Sequence, residues 1–113
     1  METMQQSEIV FKVTLDENKL PEKIEWSASD ANEQSVGKSV MISIWDAKEN
    51  NTLRIDLWTK DMMVDEMKQF YHQSLLSMSD TFERATGEVE VAKEMRAFAQ
   101  HFAEKMKLIT KAS

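Results

Sequence analysis

The segment LRIDLWTKDMMVDEMKQFYHQSL, residues 53–75, changes its hydrophobic period partway along, and this limits what the chain can fold into. Up to Trp58 the aliphatic residues Leu53, Ile55 and Leu57 alternate with polar ones. From residue 62 the spacing becomes Met63, Met67, Phe70, Tyr71, Leu75, Met78 and Phe82. A strand sends alternate residues to one face, whereas a helix returns to the same face after three or four, so a strand must hand over to a helix here. The acids Asp56, Asp61, Asp65 and Glu66 lie at this junction, with His72 further on. Asp61 suits the N-cap, and Asp65 and Glu66 suit the positive end of the helix dipole. The acid-rich cluster is thereby explained without catalysis.

The same two periods organise the rest of the chain. Ile9, Phe11, Val13 and Leu15 alternate, as do Ile24, Trp26 and Ala28 after the connection DENKLPEK, which carries Pro21. These runs form a hairpin with a long loop. Residues 29–38, SDANEQSVGK, read as a polar surface connection. Val40, Ile42 and Ile44, the turn-like KENN, and Leu53, Ile55 and Leu57 make a second hairpin. Thr86-Gly87 stops the first helix. The second helix carries the stripe Val91, Met95, Phe98, Phe102, Met106 and Ile109, with Lys105, Lys107 and Lys111 near its negative end.

The sequence therefore predicts strands near residues 8–16, 23–29, 39–46 and 52–59 and helices near 62–85 and 88–110. The fold class is α+β in the order ββββαα: a four-stranded antiparallel sheet of two hairpins, with a two-helix hairpin packed on one face. The expected core includes Phe11, Val13, Trp26, Ile42, Ile55, Phe70, Phe82, Phe98 and Phe102. Residues 1–113 form one domain, with residues 1–6 as a disordered tail. A chain of this length buries a core without disulfides or a structural metal, and it contains no cysteine. Thiolate chemistry and Cys-containing zinc sites are excluded.

The formal net charge of -6 opposes long-range attraction to nucleic acid or anionic lipid. No stretch approaches the roughly 20 apolar residues of a membrane helix, so no direct membrane insertion is expected. The N-terminus has neither the charge nor the apolar block of a signal peptide. With Gly37 and Gly87 as the only glycines, nucleotide-binding loops are excluded. No cofactor is called for.

Candidate chemistry is sparse. His72 finds no acid three or four residues away and reads as a polar-face histidine. His101 can meet Glu104, but a single such pair is weak evidence for metal. Ser74, Ser77 and Ser79 lie outside any nucleophile-elbow motif. No catalytic residue is selected, although paired carboxylates of a small acid-assisted hydrolase remain an alternative. Met67, Met78, Met95 and Met106 fall on the expected buried stripes, while Met62 and Met63 lie less securely at the helix entrance. Trp26 shares phase with Ile24 and belongs to the core. Trp45 and Trp58 share phase with Ser43, Arg54 and Asp56, away from the aliphatic face. Aromatic residues anchor many protein interfaces, so Trp45, Trp58, Arg54 and Asp56 form a candidate docking surface. Alternatively, the two indoles wrap the sheet ends or stack on Arg54.

The stretch LRIDLWTKDMMVDEMKQFYHQSLLSMSDTFERAT, with ISIWD before it and LDENKLPEKIEW near the start, resembles the gliding motility protein GldC family of Bacteroidetes. The likeness runs over essentially the whole chain and is densest from Leu53 to Thr86. Proline commonly stands in that family where this chain has Met63. The resemblance implies a non-enzymatic, soluble, cytoplasmic accessory or adaptor protein of gliding, linked to the type IX secretion apparatus. Its implied partners are proteins of the gliding machinery, such as a membrane-associated gliding lipoprotein. The family supplies no catalytic residues to transfer. A structural homo-oligomer formed through exposed strand edges is a second expectation.

Overall fold

The computed structural model describes residues 4–30 and 32–109. Part of the expected N-terminal tail, residues 1–3, lies outside the described residues, as do residues 31 and 110–113. The chain divides into two compact units, one ending at Met62 and the other beginning at Met63. The first is all strand and the second all helix.

The strand unit holds β1 (Ile9–Leu15), β2 (Pro21–Ala28), β3 (Glu33–Gly37), β4 (Ser39–Asp46) and β5 (Asn51–Trp58). These make two antiparallel sheets, one ordered β1-β2-β3 and one formed by β4-β5. The expected single four-stranded sheet is corrected to five strands in a three-stranded and a two-stranded sheet. The additional strand, β3, falls within residues 29–38, which the sequence assigned to a connection. Its sequence EQSVG has one large apolar residue, exposed Val36, so no alternation marks it. Backbone pairing defines this strand: Ile24 faces Gly37, and Ala28 faces Glu33.

The two anticipated hairpins are present. In β1-β2, Phe11 faces Trp26 and Val13 faces Ile24, with an irregularity between Thr14 and Leu15. Asp16 organises their connection: its Oδ1 accepts the Asn18 and Leu20 N–H groups at 2.8 and 2.9 Å. Lys19 takes a left-handed φ of 63° within that turn. In β4-β5, Val40 faces Leu57, Ile42 faces Ile55 and Ile44 faces Leu53, so one face of the ribbon is aliphatic. Asn50, at φ 53°, closes its loop, and its N–H donates to the Asp46 carbonyl at 2.9 Å.

The helical unit is a hairpin of α1 (Val64–Thr86) and α2 (Val89–Lys105). Helix α1 starts after Met63, whose N–H donates to the Glu66 carboxylate at 2.9 Å. The expected cap, Asp61, instead accepts the Thr59 hydroxyl at 2.6 Å. Gly87 ends α1 at φ 75°, where a side chain would be strained. Thr86 secures the turn, donating its hydroxyl to the Phe82 carbonyl and accepting the Glu88 N–H.

Helix α2 stops five residues before the expected 110. Lys107 adopts φ 61°, its N–H donates to the Glu104 carbonyl, and the Leu108 N–H reaches back to Ala103 at 2.8 Å. That is a Schellman ending with lysine where glycine is usual, so the sequence carries no stop signal there.

The expected core is rearranged. Among the described residues, Ile24, Ala92, Ala99 and Ala103 are the fully buried apolar ones, with Thr59 and Ser79 as buried polar ones. Phe11, Ile55 and Phe98 are exposed. Val13, Trp26, Ile42, Phe70, Phe82 and Phe102 are half-buried. Ala92, Ala99 and Ala103 lie on one side of α2, and these small side chains let helices approach closely. Ser79 is compatible with burial because its hydroxyl donates to the Leu75 carbonyl at 2.7 Å. Helix α2 is thus rotated from its expected orientation, with Val91, Phe98 and Ile109 turned outward and Met95, Phe102 and Met106 half-buried. Met78 of α1, expected on a buried stripe, is also exposed.

Candidate functional site

Trp45, Arg54, Asp56 and Trp58 occupy one face of the β4-β5 ribbon, as their alternation requires. The register separates the two indoles. Trp45 faces Thr52 at the loop end, and Trp58 faces Ser39 at the far end. Six residues along β5 place these pairs roughly 20 Å apart. Between them Arg54 bonds to Asp56 and Ser43. Its Nη2 donates to Asp56 Oδ1 at 2.9 Å, its Nε to Asp56 Oδ2 at 3.3 Å, and its Nη1 to Ser43 Oγ at 2.8 Å. The four residues therefore make two aromatic ends around a polar clamp, rather than one continuous aromatic patch. Trp45 is 65% exposed and Trp58 57%.

Trp58 has a more developed setting. It lines a shallow groove of about 340 Å³ with Leu20, Pro21, Leu57, Thr59 and Lys60. The groove joins the end of β5 to the turn before β2. The Lys60 N–H donates to the Pro21 carbonyl at 3.1 Å, and the Lys60 ammonium lies 2.9 Å from Asp16 and 3.8 Å from Glu22. Thr59 is buried, and its N–H donates to the Lys38 carbonyl at 2.8 Å, extending the β4-β5 ladder past Trp58. Leu20, Pro21 and Lys60 are distant from Trp58 in the period-two pattern or lie beyond its end. Sequence reasoning missed them. Pro21, the only proline, was the available signal.

The electrostatics tie this region together. The Lys60 ammonium, with the Leu20 N–H next in importance, holds the Asp16 carboxyl below the usual aspartate range. The hydrogen bond to Asp16 in turn raises the Lys60 ammonium. Asp61 is also lowered, chiefly by the Thr59 hydroxyl and more weakly by Lys38. Both carboxyls are stabilised as anions. A general acid requires the opposite shift.

The remaining candidates belong to the helical unit. His72 is half-buried on α1. His101 stacks at a tilt against Phe98, with ring centroids 6.4 Å apart, while Glu104 accepts the Gln100 amide at 3.0 Å. Among the described residues no three His, Cys, Asp or Glu side chains are placed to hold a metal ion. No helix among them is long and apolar enough to cross a membrane.

The strand unit thus presents two exposed indoles, Trp45 and Trp58, on a strand scaffold. The chain belongs to the gliding motility-associated protein GldC-like family, whose profile matches residues 21–108. The matched region begins at Pro21 and includes Trp45, Trp58, Lys60 and both helices. No curated protein and no solved structure matches the chain.

Proposed function

We propose that this gliding motility-associated chain is a non-enzymatic, soluble, cytoplasmic adaptor that works by protein–protein contact and is linked to type IX secretion. The observation supporting this reading is the groove at Trp58, where an exposed indole, Leu20 and Pro21 lie beside charged groups. Large aromatic anchors gain binding energy by leaving water, and neighbouring charges set the orientation of what binds. A protein of the gliding machinery, such as a membrane-associated gliding lipoprotein or its complex, is the proposed partner. Trp45, Arg54 and Asp56 are the second part of the proposed docking face.

The test is complementation in a gliding strain that lacks the chain. Trp58→Ser should leave the thermal midpoint within a few degrees of wild type while reducing both spreading and copurification of the gliding complex. Trp45→Ser should have a smaller effect of the same kind. Retention of the partner by a Trp58→Ser, Trp45→Ser double variant would sink the docking reading. So would unfolding of Trp58→Ser as readily as Trp26→Ser.

A further inference from the structure

The helical hairpin has two unlike sides. Arg96 of α2 reaches Asp80 through Nε and Nη2 at 3.0 and 2.9 Å and Glu83 through Nη1 at 2.9 Å, marking one side as charged. Counting about 100° per residue from the seam positions Ser79 and Ala99 places Val64, Tyr71 and Met78 of α1, with Val91 and Phe98 of α2, on the opposite side. These residues repeat at intervals of seven, the spacing of a seam against other helices. They are also exposed: Tyr71 by 46%, Met78 by 56%, Val91 by 43% and Phe98 by 55%. Half-buried Leu75, Phe82, Met95 and Phe102 fill the space between the two stripes.

We propose that this face binds a second copy of the chain, the two helical hairpins joining face to face as a four-helix bundle. The outer border of α2 is self-complementary. Glu94 and Lys105 lie equally far on either side of the Phe98–His101 pair, and all four residues are exposed. A two-fold axis across that pair sets Glu94 of one copy against Lys105 of the other, with the aromatic pair at the centre.

The size also suits such an interface. Helices of 23 and 17 residues lying side by side present a face roughly 30 Å by 20 Å, or about 600 Å² in projection. Side-chain relief raises this toward the roughly 800 Å² per partner of a stable interface. The centre of the face carries no charge, so the net charge of -6 is not concentrated where the copies meet.

Sedimentation equilibrium of the full chain at micromolar to hundred-micromolar concentration tests it. Wild type should approach twice the 13.1 kDa of one copy. Met78→Glu with Phe98→Glu should weaken association by at least about tenfold with helicity retained. Exchanging both rim charges, Glu94→Lys with Lys105→Glu, should restore dimers that either single exchange weakens. If the charged double variant does not fold, peroxide oxidation of wild-type Met78 provides the second measurement. It should slow severalfold as concentration rises through the dimer range. A wild-type chain that stays monomeric overturns the proposal. So does a dimer unaffected in a folded double variant, a Met78 oxidation rate independent of concentration, or a face occupied only by a different protein.

Discussion

The strand unit and the helical unit follow their hydrophobic patterns differently. In β4-β5 the alternation leads directly to the register: Ile42 faces Ile55 and Val40 faces Leu57, with Trp45 and Trp58 on the other face. In α2 the period is helical as expected, yet the buried side is marked by Ala92, Ala99 and Ala103 rather than by Phe98. A strand has only two faces, so its pattern carries its phase. A helix has a continuum of orientations, and a seam of small residues shifts the stripe by a residue without changing its period.

The sharpest way to break this comparison is to exchange the roles of Ala99 and Phe98. Ala99→Leu inserts volume into a closely packed seam and should cost on the order of 3 kcal/mol. Phe98→Ala, measured where the chain is dilute, should cost about 1 kcal/mol, because Phe98 is already about half exposed. Denaturant unfolding of the two variants gives both values. A larger loss for Phe98→Ala than for Ala99→Leu would return Phe98 to the core and rotate α2 back.

A smaller effect compares the turns. The helical turn depends on backbone conformation: Gly87 sits at φ 75° with nothing within 4 Å of where a Cβ would be. Gly87→Ala should therefore cost about 1–2 kcal/mol through left-handed strain alone. Thermal unfolding of this variant would show no loss if the turn took another conformation.

The strand turn depends instead on a carboxylate, so its stability should follow pH. The folded Asp16 carboxyl is lowered from its ordinary value of 3.8, mainly by Lys60 and next by the Leu20 N–H. The unfolded chain then binds the proton more readily. Stability from this group is complete above the ordinary value and is lost as pH falls through the lower folded value. Asp16→Asn should lower the thermal midpoint by a few degrees or less near neutrality, and the gap should shrink below about pH 4. A gap that stays constant across the acid range would assign the effect to turn geometry rather than to charge.

The candidate site was partly legible. The alternation placed Trp45, Trp58, Arg54 and Asp56 on one face. It did not reveal that the indoles sit at opposite ends of the ribbon, with Arg54 gripping Asp56 and Ser43 between them. Leu20, Pro21 and Lys60 join Trp58 through the Lys60–Pro21 backbone bond and the Lys60–Asp16 ion pair, which cross between distant parts of the chain.

By itself the sequence determined the α+β class, the order of the two hairpins before the two helices, the turn at Gly87 and the faces of β4-β5, because these follow from local period and backbone freedom. The tertiary structure alone decided β3, the division into two sheets, the small-residue seam and the end of α2 at Lys105. Glu33–Gly37 is a strand because β2 offers it hydrogen bonds, not because its side chains alternate. Ala92, Ala99 and Ala103 become core because their small size suits close helix packing, which no hydropathy value of alanine records. Local chemistry sets the elements, and the groups that meet across the chain set what each element buries.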